Sequence, residues 1–180
     1  MTKKRLPTTN SENFKACFKR NLLNLFPAYR GTGARAIFLS SDFKEVQIRL
    51  SLNWRTRNYV GTIFGGSMYA AADPIYMIQL IELLGKEYVV WDKSASIRFI
   101  RPGNQTLYAQ FIVSDELIEQ IKTEVAEKQE MDLTLDVNYV DISGKPYAIV
   151  SKVLYIAEKN FYKSKKANRK NDVAPKKSEV

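Results

Sequence analysis

The chain has 180 residues, 28 Lys and Arg against 19 Asp and Glu for a formal net charge of +9, and no histidine. That length suits one domain able to bury a core unaided. The missing imidazole excludes Ser-His-Asp and Cys-His catalysis and an HExxH zinc site within this chain, and the single cysteine, Cys17, excludes an intrachain disulfide and cysteine-cluster zinc.

Residues 1–10 read as a polar N-terminal arm. Thr9-Asn-Ser-Glu12 has capping-box spacing, and Phe14, Phe18, Leu22 and Leu25 recur at helical intervals up to Pro27, which predicts an amphipathic helix. Ala34 to Leu39 reads as a strand, as does the stretch in which Val46, Ile48, Leu50 and Leu52 alternate with polar residues. Gly65 to Leu84 is apolar on nearly every side and too long for a strand, so it reads as a helix surrounded by protein. Four further strands are expected at residues 94–100, 106–113, 131–140 and 145–156, with a surface helix capped by Ser114 and carrying Leu117, Ile118, Ile121 and Val125. Segregated strands around one apolar helix make the fold class α+β, an antiparallel sheet wrapped around a long central helix.

Residues 11–158 form one domain on this reading. Charge is concentrated outside its middle: residues 1–5 carry +3 and residues 159–180 carry +6, whereas residues 6–158 hold 17 basic and 17 acidic groups. The basic tail of residues 159–180 is expected to be disordered and solvated. It has no motif and few aromatics, which disfavours contact with nucleic acid or a membrane. Lys3-Lys4-Arg5 leads into polar residues rather than an apolar run, and Val60 to Leu84 is broken by Asp73, Pro74, Gln79 and Glu82. Neither a secretory signal nor a membrane span is expected, and a cytoplasmic protein is.

Asp73 is the lone charge in Gly61 to Met77, where an ionised carboxylate is costly unless paired, and where burial would raise its pKa toward that of a useful base. A plain alternative is Asp73 as N-cap with Pro74 at the first helical position. Gly65-Gly66 is either a loop or packing point, or a place where a ligand reaches bare N–H groups at a helix start. Asn58 is either a turn residue or an amide donor to a substrate carbonyl.

Asn58, Gly65-Gly66 and Asp73, in "NYVGTIFGGSMYAAAD", resemble the signature of hot-dog-fold thioesterases of the PaaI-like kind, and "VVWDKSASIRFIRPG" fits an uncharacterised branch of that superfamily. The resemblance covers roughly residues 14–158 and implies a hot-dog fold, assembled as a homodimer or a dimer of dimers with active sites between subunits. It implies hydrolysis of an acyl-CoA or acyl-carrier thioester, with Asn58 and the Gly65 N–H polarising the carbonyl and Asp73 activating water or attacking directly. No cofactor is expected beyond coenzyme A as part of the substrate, and no metal. Phe64, Gly66 and Met77 are expected against the substrate, with Arg98 and Arg101 toward its phosphates among the candidate cations Arg55, Arg57, Arg98 and Arg101. Phe64 stands where the family commonly has histidine, and Met77 where many members place Ser or Thr one turn beyond the carboxylate. These two departures support an alternative, a non-catalytic acyl-thioester-binding protein.

Overall fold

The structure, a computed structural model, describes residues 5–173. Its elements run α1 (Phe14–Leu25), α2 (Pro27–Gly31), β1 (Ala34–Leu39), β2 (Glu45–Leu50), α3 (Gly65–Leu84), β3 (Tyr88–Phe99), β4 (Leu107–Ile112), α4 (Asp115–Lys128), β5 (Glu130–Val140), β6 (Pro146–Glu158) and α5 (Lys159–Val173). The six strands form one antiparallel sheet in the order β1-β2-β4-β5-β6-β3, with α3 packed against it. This is the α+β, hot-dog arrangement that the sequence predicts.

Met68, Ala71, Ala72, Ile75, Tyr76, Gln79, Leu80 and Leu84 recur every three or four residues and bury one face of α3. The Tyr139 hydroxyl donates to the Met68 carbonyl at 2.7 Å and the Tyr76 hydroxyl to the Asp136 carbonyl at 3.0 Å, tying the helix to β5. The opposite face is open, with Tyr69, Ile78 and Ile81 exposed, so α3 is not enclosed all round as its composition predicts. Its outer face is simply poor in charge. Pro74 lies within the helix, which runs on through it, so Asp73 is not an N-cap. Pro74 removes the bond to the Ala70 carbonyl, and Ala70 lies on the open side, where that loss is least disruptive.

The first helix differs from its sequence reading in two ways. Asn13, not Thr9, caps it by accepting from the Ala16 N–H at 2.8 Å. Glu12 leaves the box arrangement because it takes the buried Arg20 guanidinium at 2.6 Å and the Leu39 N–H at 3.1 Å. The polar residues Arg20 and Asn24 therefore turn inward, and Asn24 exchanges two 2.8 Å hydrogen bonds with the Ala36 backbone on the edge strand β1. The apolar stripe Phe14, Phe18, Leu22 and Leu25 faces outward.

The N-terminal arm folds over β2. Glu45 accepts from Thr8, Asn10, Gln47 and Gln110, and Gln47 exchanges hydrogen bonds with the Leu6 backbone. Ser114 caps α4 as expected. The third strand starts at Tyr88, earlier than the predicted 94, because Val89 to Asp92 pair with β6 across a bulge between Asp92 and Ser94. Disorder from residue 159 is corrected to helix α5. Its start is held by the Glu158 carboxylate, which accepts from the Phe161 N–H at 2.7 Å, and its middle by Lys165 paired with Glu130. The rest of the expected tail, residues 174–180, lies outside the described residues.

Candidate active site

Two openings flank α3. A groove of about 510 Å³ runs between α1 and α2 on one side and the outer face of α3 on the other, lined by Phe26, Tyr29, Thr32, Asp73, Pro74 and Met77 among others. A wider cleft of about 910 Å³ opens at the start of α3, lined by Asn58, Tyr59, Phe64, Gly65, Phe99 and Arg101 among others.

Asp73 is not the buried acid that its apolar neighbours suggest. Its side chain is 46% exposed, and Lys152 Nζ lies 2.6 Å from its Oδ1. Lys152 is only 1% exposed and also lies 2.9 Å from Asp92 Oδ1. That second contact is an ion pair without hydrogen-bond alignment. Burial alone would lower the Lys152 pKa, but Asp73 and Asp92 outweigh it and hold the ammonium above its usual value. Burial pushes Asp92 up, with Lys152 opposing and Asp73 reinforcing the shift. The sheet builds this cluster: Lys152 occupies an inward register of β6 between Val150 and Leu154, and the β3 bulge follows Asp92 directly.

Sequence reasoning assigns no role to Lys152 or to Asp92. A signal was present, since Ala148, Val150, Leu154 and Ile156 alternate inward and place Lys152 in phase with the core. Tyr29 was missed as well. It is 3% exposed and lines the Asp73 groove, and its hydroxyl has no hydrogen-bond partner among the described residues. Burial raises its pKa.

Gly65 lines the cleft and Gly66 is not part of the lining; as first-turn donors of α3, their N–H groups make no backbone hydrogen bond among the described residues. A Cβ on Gly65 would come within 2.6 Å of the Phe99 ring, and one on Gly66 within 2.3 Å of the Phe64 ring. Both rings are more than half exposed, so a side chain at either position would displace a ring rather than the backbone. Asn58 is held within its own turn, its amide donating to Thr62 Oγ1 at 2.9 Å and its Oδ1 accepting from the Thr62 N–H at 3.0 Å. Arg101 lines the cleft and donates to the Pro146 carbonyl, whereas Arg98 is exposed on β3 and is not part of the lining.

Within one chain the structure thus brings Asn58, Phe64, Gly65 and Arg101 together, and separately Asp73 with Met77. Asp73 lies eight positions beyond Gly65 on α3, about 12 Å along the helix axis. No group of three or more His, Cys, Asp or Glu converges as a metal site among the described residues.

Comparison with known proteins bears on this arrangement. The family described as "Domain of unknown function (DUF4442)" matches residues 15–156. The chain belongs to this family. The match spans β1 to β6 and takes in Asn58, Gly65, Asp73, Asp92 and Lys152. No curated protein matches the chain.

Among solved structures, the chain is similar to a Pseudomonas aeruginosa protein of unknown function described as a probable thioesterase, at 19% identity and a TM-score of 0.69, over 84% of this chain and 99% of that one. It is similar to a Chlorobaculum tepidum protein of unknown function at 15% identity and a TM-score of 0.63, over 80% and 94%. A Haemophilus influenzae thioesterase matches at 12% identity and a TM-score of 0.59, over 84% and 96%. At these identities the likeness establishes the hot-dog fold alone.

Proposed function

We propose that this protein is a thioesterase that hydrolyses an acyl-CoA or acyl-carrier thioester to a carboxylate and a free thiol, at a site shared by two copies of the chain. The observation that carries this reading is Asp73, a carboxylate kept half-exposed in an apolar-walled groove by a buried lysine. Lys152 occupies Oδ1, leaving Oδ2 to activate water or to attack the thioester carbonyl. The thiolate leaves with a conjugate-acid pKa near that of cysteine, about 8.5, so its departure needs little acid assistance and no histidine. Developing negative charge on the carbonyl oxygen is met by the Gly65 N–H at the positive end of α3, with Asn58 beside it.

The 12 Å spacing along α3 supports a site in trans, in which the cleft of one copy faces the Asp73 groove of the other. The outer edge of β3 pairs with no strand among the described residues, and the exposed Tyr59, Val60, Phe64 and Phe99 surround the cleft, which suits them to an interface. Arg101 at the cleft wall and Arg98 on β3 are the cations offered to coenzyme A phosphates. The single cysteine favours a reducing, cytoplasmic setting; among the described residues no helix is long and apolar enough to cross a membrane.

The test is thiol release from acyl-CoAs of graded length. The wild-type protein releases thiol and Asp73→Asn loses most of that activity; no release on any chain length, or an unchanged mutant, defeats the proposal. A second reading, an acyl-thioester-binding protein without turnover, is favoured by two observations: Asn58 is engaged with Thr62, and Met77 in the Asp73 groove has no hydroxyl to hold a water. Tight binding of acyl-CoA without thiol release would establish it instead.

A further inference from the structure

A third, smaller chamber lies under α1, and its features are unexplained by core packing. It measures about 100 Å³ and is walled by Leu23, Leu39, Phe43, Val46, Ile75 and Ile78, with Gln79 in its lining and the Lys19–Glu82 ion pair among its polar rim residues. Gln79 is 1% exposed. Its Nε2 donates to the Phe43 carbonyl at 3.1 Å, which fixes the amide orientation, because a flipped amide would set oxygen against oxygen. Oε1 is then a buried acceptor with no partner among the described residues. On the buried face of α3, otherwise Met, Ala, Ile, Tyr and Leu, such a group is expensive to keep unless a donor visits it.

Phe43 is the second anomaly. It sits in the β1–β2 turn at φ 65°, a left-handed conformation that a bulky side chain rarely adopts and glycine or asparagine takes readily. Its carbonyl orients Gln79, its ring forms a chamber wall, and the Lys19 ammonium lies 4.4 Å from the ring centroid. A strained residue and an orphaned acceptor at one small cavity point to a ligand. Water suits the place poorly. A buried water needs two to four polar partners, and the other polar lining groups are already engaged: the buried Arg20 guanidinium donates to Glu12, Cys17, Asn21 and the Ala36 carbonyl, and Lys19 pairs with Glu82.

Leu23 and Ile78 line both this chamber and the Asp73 groove. Gln79 lies six residues beyond Asp73, about 9 Å along α3 and on a different face, so a chain anchored near Asp73 reaches it by passing between Leu23 and Ile78.

We propose that this chamber receives the distal part of the acyl group, and that Gln79 Oε1 accepts a hydrogen bond from a hydroxyl carried there. The preferred substrates are then acyl thioesters hydroxylated far from the thioester carbon. This rests on the thioester reading above and adds the substrate class to it.

The experiment uses non-hydrolysable thioether analogues of decanoyl-CoA and of its 3-, 8- and 10-hydroxy forms, with binding measured by calorimetry on the full chain. The wild-type protein is expected to bind the 8- or 10-hydroxy analogue about tenfold more tightly than the decanoyl one, and the 3-hydroxy analogue with no such gain. In Gln79→Met that preference disappears while decanoyl binding is kept. In case Gln79→Met does not fold, Ile78→Trp, at a position 41% exposed, narrows the passage and also removes the preference. Equal wild-type affinity for decanoyl and all hydroxy analogues, or a preference that survives both variants, overturns the proposal. If no analogue binds the wild-type protein, the thioester reading falls with it; if decanoyl-CoA is bound and hydrolysed without hydroxyl preference, only this inference falls.

Discussion

Lys152→Met is the most informative single perturbation. Methionine keeps the length and apolar contacts of the lysine stem but removes the cation between two carboxylates, leaving Asp92 facing Asp73. Deleting one partner of a fully buried ion pair typically costs about 3–5 kcal/mol, because the other charge stays desolvated. Here the carboxylates are only partly desolvated, with Asp73 46% and Asp92 25% exposed, so solvent screens part of that penalty. The expected loss is about 2–3 kcal/mol, or roughly 4–12 °C in Tm for a chain of this size. Urea and thermal unfolding followed by circular dichroism measure it.

The same reasoning sets the double mutant. Asp92→Asn in the Lys152→Met background removes the stranded carboxylate and should restore part of the loss, giving a coupling energy well above the ~0.5 kcal/mol scatter of independent sites. A Lys152→Met protein as stable as wild type, or additive behaviour of the two changes, would refute the account of Lys152 as the neutralising centre of this cluster.

Tyr29→Phe removes a buried hydroxyl without a partner among the described residues and is expected to be neutral or stabilising by about 1 kcal/mol in urea unfolding, while raising KM for acyl-CoA if the hydroxyl meets substrate in the groove; a clear loss of stability would mean that the hydroxyl is satisfied. For Glu45, burial pushes the carboxyl up but the hydrogen bonds from Thr8, Gln47, Asn10 and Gln110 outweigh it and hold it below the usual range. Its contribution is therefore present above the unfolded value, about 4.3, and is lost as pH falls through the lower folded value. Glu45→Gln should weaken the protein at pH 7 and flatten the acid limb of its stability profile, and an unchanged limb would contradict this. Asn24→Leu deletes two hydrogen bonds to the Ala36 backbone at the sheet edge, so a loss of about 1–3 kcal/mol is expected from denaturant titration, with no change predicted in α4 or β5 hydrogen exchange.

The sheet was readable where strands alternate in step with their burial, as β5 and β6 do, whereas on β2 the N-terminal arm also buries the polar Glu45 and Gln47. On β5, Met131, Leu133, Val137 and Tyr139 point inward while Asp132, Thr134, Asp136 and Asn138 point out. Where burial and polarity disagree, reading from composition fails. The first helix turns Arg20 and Asn24 inward because Glu12 and the bare Ala36 backbone need partners, and this leaves Phe14 and Phe18 outside. The α5 segment reads as solvated tail from its lysines alone, yet Lys165 finds Glu130 and the helix forms. Asp73 stood out in the sequence by its isolation, whereas its partner Lys152 is 79 residues away and is joined to it only through the β6 register and the course of α3. Tyr29 and Gln79 carry no signal in the sequence, since an unsatisfied buried atom exists only in three dimensions.

The most direct test of the central claim is complementation by mixing. Asp73→Asn and Gly65→Pro, the latter deleting the N–H at a first helical position that tolerates proline after the extended Phe64, are each expected to be nearly inactive alone. If every site joins Gly65 of one copy to Asp73 of another, subunit exchange in an equal mixture makes heterodimers with one intact site, and thiol release from acyl-CoA should recover to about a quarter of the wild-type rate. An active wild-type protein whose mixed mutants exchange subunits but recover nothing would contradict a site shared between chains, and a wild-type protein that releases no thiol would contradict the thioesterase itself.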